Sequence, residues 1–475
     1  MRQLSGLDAL FLNLEQPNTP LHVASIIVVD PSTAPGGFGY EQVLDTYRNR
    51  LHKLPPFRWR LVETPFGLDH PYWIDDPNFD LEYHVRRIAV PPPGDPHTLS
   101  EIISRIHARP LDRARPLWET YVIEGMADDT VVIYSKNHHA AIDGVSGADI
   151  LGVLLDLEPK APVPGHKEPM DAEPEPSEAQ MLVRSAKGLV KQPLRLGRMA
   201  ARSAGALPLL GRMAERAAPP ALKSRLGEGL LGKPRLQAPP SPFNGEISPH
   251  RRFAYGAMPL KDLKRIKDAY GCKLNDVVMA LTGGALRRYL ARTGDLGEQP
   301  LQAMVPISVR TDDQKGAGGN AVNAMIATLP THLDSAQERL ANAATSMDIA
   351  KTGNAVPATV LRDFTQFATP ALAATAARTV ARLRWADRVS TPFNVVVSNV
   401  PGPPVPLYLA GAQMQGIYPV SAIYDGLGLN VTVFSYRDEM QFGIVADREM
   451  VDDIWGMMQD FHDEMAELTQ LAETG

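Results

Sequence analysis

A single cysteine, Cys272, in a chain of 475 residues excludes an intramolecular disulfide and a thiolate metal cluster. Lying just ahead of a helix signal, it reads as a small buried filler rather than a nucleophile. An excess of positive charge is also missing. The chain has 48 Lys and Arg against 54 Asp and Glu, a formal net charge of -6, so nucleic-acid binding is not expected and attraction to an anionic surface must be local. No continuous apolar run reaches the ~20 residues that a membrane-spanning helix needs. The longest uncharged stretch, Val389 to Tyr424, is broken by Pro392, Pro401, Pro403, Pro404 and Pro406 and predicts strands and turns around a core. At the N-terminus, Asp8 and Glu15 interrupt the one apolar run, which does not fit a secretory signal and predicts a cytoplasmic protein. G-x-S-x-G, H-E-x-x-H, the phosphate loop and the dinucleotide glycine fingerprint are all absent. Serine hydrolysis, zinc proteolysis, phosphate-loop and hydride chemistries are therefore disfavoured.

With 44% hydrophobic and 21% charged residues, the chain can bury a full core, and its length suits two or three domains. Strand signals at Leu21 to Val29 and Tyr83 to Val90 alternate with helical periodicity at Tyr40 to Leu54 and Ser100 to Ala108, an α/β pattern. Pro159 to Ser177 is rich in Pro and Glu and reads as a linker. The second half resumes with a helix over Asn275 to Tyr289 and strands at Ala303 to Val309 and Met325 to Leu329. A helix follows around Ser335 to Ala350, then strands at Leu429 to Tyr436 and Met440 to Val445, and a last helix from Asp452. Two similar α/β units, 1–157 and 251–475, joined by a crossover over 158–250, are expected.

The chemistry points to the run His138-His139-Ala140-Ala141-Ile142-Asp143-Gly144. Before it, Thr130-Val131-Val132-Ile133-Tyr134 predicts a buried strand, and after it Val145 to Leu157 carries apolar residues at helical spacing. The histidines thus fall where a strand gives way to a helix. A neutral imidazole there can take a proton near neutral pH, and a nearby carboxylate can hold its tautomer or organise its loop. Paired histidines with Asp143 and Gly144 on such a loop favour proton abstraction from a hydroxyl over satisfied core side chains. No third metal ligand stands at a recognisable spacing, so no metal is expected. Gly144 suits a helix entry close to a ligand, where a side chain has little room.

This HHxxxDG run resembles the wax ester synthase/diacylglycerol acyltransferase family of bacterial O-acyltransferases. That family is a branch of the CoA-dependent acyltransferase superfamily, with chloramphenicol acetyltransferase and the condensation domains of peptide synthetases. Leu4-Ser5-Gly6-Leu7-Asp8-Ala9-Leu10-Phe11-Leu12, Pro116-Leu117-Trp118-Glu119 and Asn275-Asp276-Val277-Val278 carry the resemblance further. So do Val305-Pro306-Ile307-Ser308-Val309-Arg310, Ser398-Asn399-Val400-Pro401-Gly402-Pro403 and Leu429-Asn430-Val431-Thr432-Val433, in order over nearly the whole chain. The resemblance implies two chloramphenicol-acetyltransferase-like domains, with the active site in the tunnel between them. It also implies transfer of an acyl group from fatty acyl-CoA, a substrate rather than a cofactor, to diacylglycerol or a long-chain alcohol.

On the family pattern the base is the histidine four residues before the aspartate, His139. His138 is the extra family histidine, which orients the base, touches substrate or makes a structural hydrogen bond. Asp143 can bond His139 or pin its own loop. In the superfamily this aspartate pairs with an arginine, for which Arg310 is the candidate, unless Arg310 is an ordinary strand-end side chain in solvent. Asn275 and Asp276 look like a second family motif that supports the site, although Asn275 also reads as a helix N-cap. Ser398 and Asn399 can donate to the thioester oxyanion or stabilise the turn that follows. Pro116, Leu117 and Trp118 are expected to be structural, with the wall of an acyl channel as the other use.

The crossover carries twelve Lys and Arg from Arg184 to Arg235 against Glu215 and Glu228 only, interleaved with apolar clusters. Such a segment suits an anionic membrane or lipid-droplet surface, where each basic residue contributes ~1 kcal/mol. A solvated arm and a CoA phosphate site are the other uses of the same charge. Two further readings of the chain remain: the same fold acylating a polyketide or peptide acceptor, and a non-catalytic lipid-droplet coat. The Asn275-Asp276 and Pro116-Leu117-Trp118 segments argue against the first, and the set His139, Asp143 and Arg310 argues against the second. Oligomeric state is not legible in the sequence.

Overall fold

The β-branched runs of the first half build one sheet, and they recruit strands from the second half to complete it. The computed structural model describes residues 1–142, 147–160, 174–186, 238–308, 322–352 and 391–474. Its first half contains β1 (Arg2–Gln3), α1 (Gly6–Leu14), β2 (His22–Asp30), α2 (Tyr40–Arg50), β3 (Trp59–Val62) and β4 (Tyr72–Asp75). Then come α3 (Leu81–His84), β5 (Val85–Ala89), α4 (Pro96–His107), β6 (Trp118–Glu124), β7 (Val131–His138) and α5 (Gly147–Leu154). The second half contains β8 (Arg251–Pro259), α6 (Leu260–Ala269), α7 (Leu274–Thr293), β9 (Leu301–Ser308), β10 (Val322–Leu329) and α8 (Ala336–Thr352). It closes with β11 (Val395–Val400), β12 (Tyr408–Leu409), β13 (Ala412–Val420), β14 (Leu429–Tyr436), β15 (Glu439–Asp447) and α9 (Ile454–Thr474).

Two six-stranded mixed sheets run in the orders β12-β13-β2-β7-β6-β5 and β10-β9-β11-β14-β15-β8, beside a small sheet β1-β4-β3. Sheet membership does not follow the chain halves. β13 pairs antiparallel with β2 from Gln413 opposite Asp30 to Val420 opposite Ala24, so the expected unit 251–475 lends residues 408–420 to the first sheet. Packing explains the exchange: Met414 and Ile417 share one core with Ile27, Val29 and Ile133. The backbone of β13 also runs close to β15, where a Cβ on Gly443 would lie 1.8 Å from the Pro419 carbonyl oxygen. Only glycine permits that approach.

Local capping moves some expected boundaries. Asp80 accepts from the Glu82 N–H at 3.1 Å and starts the helical turn α3, so the strand predicted from Tyr83 begins at Val85. Asp95 accepts from the Thr98 N–H at 2.7 Å and starts α4 before Ser100. Among the described residues, no helix is long and apolar enough to cross a membrane.

One buried ion pair locks the helices of the second half. Arg339 on α8 donates to both oxygens of Glu464 on α9, Nε to Oε1 at 2.9 Å and Nη2 to Oε2 at 2.6 Å. The side chains are 3% and 0% exposed. A Cβ on Gly284 of α7 would lie 2.0 Å from Glu464 Cδ, so the carboxylate occupies the space that this glycine leaves open. Glu464→Ala is expected to destabilise the protein by about 3–5 kcal/mol, because it strands the Arg339 guanidinium in the core. Urea denaturation midpoints of the two proteins check this.

Candidate active site

The site is assembled by α1, whose entry is set by a reciprocal cap. The Asp8 N–H donates to Ser5 Oγ at 3.2 Å, and Ser5 Oγ donates to Asp8 Oδ2 at 2.7 Å. Leu4 and Leu12 pack with Leu61, Trp73, Leu111, Leu117 and Ala140 in one small core. The helix is thereby held against Ala140, the residue that follows the paired histidines. Phe11 and Glu15 stand four residues apart and face the same way. The Phe11 ring stacks on His139, with centroids 5.0 Å apart and planes at 17°. Glu15 lies beside His138, its Oε1 3.8 Å from His138 Nε2.

His138 ends β7 and is 1% exposed. Its Nδ1 accepts from the Ala140 N–H at 3.0 Å, which places the proton of the neutral ring on Nε2. Burial, with His139 and Arg113 nearby, lowers its pKa to about 3, so the ring stays neutral at working pH. His139 differs in exposure. It is the first residue beyond the strand, half-buried, and its own N–H is held by the Leu21 carbonyl at 2.9 Å.

The face of β7 that carries His138 also carries Tyr134 and Lys136, both buried. Lys136 Nζ donates to the Arg109 carbonyl at 3.0 Å and lies 3.4 Å from Glu119 Oε2. Burial lowers its pKa against the pull of Glu119. His22, opposite His138 in register, has its Nε2 2.6 Å from the His107 carbonyl oxygen. The His107 ring in turn meets the Tyr134 hydroxyl at 2.9 Å and the Ser421 carbonyl at 3.2 Å. From Ser421 the polar line continues to Thr432 on β14, hydroxyl to hydroxyl at 2.8 Å. This line links the strands around His138 to the second sheet.

A second group of expected residues meets on that sheet. Asn399 on β11 donates through Nδ2 to Asn275 Oδ1 on α7. The expected N-cap role of Asn275 is corrected: the cap position is Lys273, and Asp276 supplies the capping acceptor, taking the Lys273 N–H at 2.8 Å. Asn275 is left to tie α7 to β11. Ser398, half-buried, lies in parallel register with Thr432. Trp118 is structural, donating through Nε1 to the Phe57 carbonyl at 2.7 Å and stacking against Phe57, Tyr47 and His84. Cys272 is half-buried against the core of the second sheet rather than fully buried as expected, and burial pushes its thiol up.

Asp143, Gly144 and Arg310 lie outside the described residues, as does the basic crossover from Lys187 to Arg235. Sequence reasoning missed Phe11, Glu15 and Arg113 as neighbours of the histidines. The spacing of Phe11 and Glu15 on a capped N-terminal helix was the available signal. Arg113 had none, because its partners lie about a hundred residues away in the chain.

The wax ester synthase/diacylglycerol acyltransferase catalytic domain model matches residues 4–278, and the C-terminal domain model of the same family matches 318–469. A Mycobacterium tuberculosis protein provisionally named a diacylglycerol O-acyltransferase is 37% identical, over all of this chain and 91% of its own length. The wax ester synthase/diacylglycerol acyltransferase of Marinobacter aquaeolei VT8 superposes with a TM-score of 0.69 at 30% identity, covering 100% of both chains. The first condensation domain of the calcium-dependent antibiotic synthetase shares the fold, with a TM-score of 0.53 at 15% identity over 99% of this chain and 96% of that one. The two-sheet α/β fold is thus the one that acyltransferases and condensation domains hold in common, and by its sequence this chain belongs to the wax ester synthase/diacylglycerol acyltransferase family.

Proposed function

We propose that this protein transfers a fatty acyl group from acyl-CoA to the free hydroxyl of diacylglycerol, forming triacylglycerol, and that it esterifies long-chain alcohols to wax esters as a secondary activity. The observation that carries the reading is the contrast between the two imidazoles. His138 is sealed, neutral and committed through Nδ1, whereas His139 is half-buried and is the ring that a substrate hydroxyl can reach. In the proposed reaction His139 takes the hydroxyl proton as the oxygen attacks the thioester carbonyl. The carbon–sulfur bond then breaks, and the proton passes to the CoA thiolate. The balance closes without a cofactor, a metal or a covalent acyl-enzyme.

Asp143 and Arg310 enter this proposal as the ion pair that holds the loop after His139, and Ser398 with the Asn275–Asn399 pair as candidate donors near the thioester. Diacylglycerol is favoured as acceptor because the relative at 37% identity is named for that activity alone. The basic crossover would bring the enzyme to anionic lipid at the inner membrane face or a droplet, where both substrates collect. Purified protein with labelled palmitoyl-CoA and either diolein or hexadecanol tests the assignment. Labelled triacylglycerol is expected in excess of labelled wax ester. Transfer to neither acceptor overturns it.

A further inference from the structure

Resting on the assignment of His139 as base, we infer that Glu15 is a positioning residue, which holds the His138 ring through its Nε2–H and thereby fixes the backbone that presents His139. Two buried polar atoms face each other here without another partner among the described residues, Glu15 Oε1 and His138 Nε2. They are 3.8 Å apart, too close for a water to sit in line between them and one small side-chain rotation from a hydrogen bond. Buried donors and acceptors are nearly always satisfied. Among the described residues, each of these atoms has the other as its available partner.

The rest of the carboxylate is already anchored. Arg113 donates to Glu15 Oε2 from Nε at 2.9 Å and from Nη2 at 2.6 Å. The same Nη2 reaches the Leu12 carbonyl near the end of α1. Glu15 therefore cannot swing away without breaking two charge-assisted hydrogen bonds that converge on Oε2. On the other side of His138, Nδ1 takes the Ala140 N–H, and the His138 carbonyl takes the Ala141 N–H at 2.9 Å. Both bonds fall on residues just after His139. A carboxylate that orients one imidazole so that the chain around a second is fixed repeats, at one remove, the logic by which an aspartate orients a catalytic histidine.

Glu15→Gln keeps the shape but cannot accept from both Arg113 and His138. A misplacement of about 1 Å in an active site can lower turnover ~10²-fold, so kcat is expected to fall about 10- to 100-fold, with KM for palmitoyl-CoA within about twofold. A kcat within about twofold of the wild type overturns the role. The readout specific to positioning is the ring proton of His138 in ¹⁵N-histidine-labelled wild-type protein, assigned by its loss in His138→Gln. It is expected on Nε2, downfield and slow to exchange, and displaced upfield in Glu15→Gln. A proton on Nδ1 in the wild type overturns the inference even where the variant fails to fold, and so does a resonance that Glu15→Gln leaves unmoved. His139→Ala, assayed alongside, separates the two claims. Full activity in that variant removes the base assignment, whereas its inactivity beside a normal Glu15→Gln removes only the role of Glu15.

Discussion

His139→Ala is expected to lower acyl transfer ~10²- to 10⁴-fold, the range that a general base contributes, while the fold is retained. The side chain stands outside the strand and is half-buried, and the hydrogen bond that fixes its position in the chain is made by the backbone N–H to the Leu21 carbonyl. Alanine preserves that bond and gives up the stack on Phe11. Turnover of palmitoyl-CoA with diolein, measured beside circular dichroism and a thermal melt, checks both halves of the expectation. Near wild-type turnover in a folded variant would remove His139 from the chemistry.

The second large effect is a loss of stability in mild acid. Burial lowers the pKa of His107 and His138 to about 3 and that of His84 to about 4, from an ordinary value of 6.5. His22, fully buried, is lowered as well. The folded protein therefore keeps these rings neutral where the unfolded chain protonates them. Stability is fully present above pH ~6.5 and falls as pH drops through the window between 6.5 and the folded values, because the unfolded state then binds more protons. One pH unit below 6.5, each of the three rings with a stated value forfeits roughly 1.4 kcal/mol, about 4 kcal/mol together. A typical domain is stable by only ~5–15 kcal/mol. Urea midpoints at pH 7.5 and 6.5 should lie close together and the midpoint at pH 5.5 well below both, and midpoints that do not move across this range would show that the rings take up protons within the fold.

These histidines show where reading the sequence stops. Adjacency and spacing set His138 and His139 at the end of a β-branched strand, because strand propensity and helical periodicity are local properties of the chain. The α/β alternation was legible for the same reason, and the strand over Leu429 to Tyr436 falls where its apolar pattern predicts. Family membership was legible because ordered motifs run along nearly the whole chain. Which histidine is sealed and which is half-buried was not, since that depends on Glu15 and Phe11 arriving from α1 more than a hundred residues upstream. The same holds for Asn275: its position ahead of a helical run reads as a cap, but the cap falls on Lys273 and the amide meets Asn399 across 124 residues. The placement of β13 in the first sheet is also tertiary. Its apolar alternation fits either sheet, and only packing against Ile27, Val29 and Ile133, with Gly443 opening the approach to β15, decides between them. The sequence by itself determined the local elements, the paired histidines and the family. Tertiary structure decided which side chains surround those histidines, because burial, tautomer and proton affinity are set by neighbours that the chain brings together only on folding.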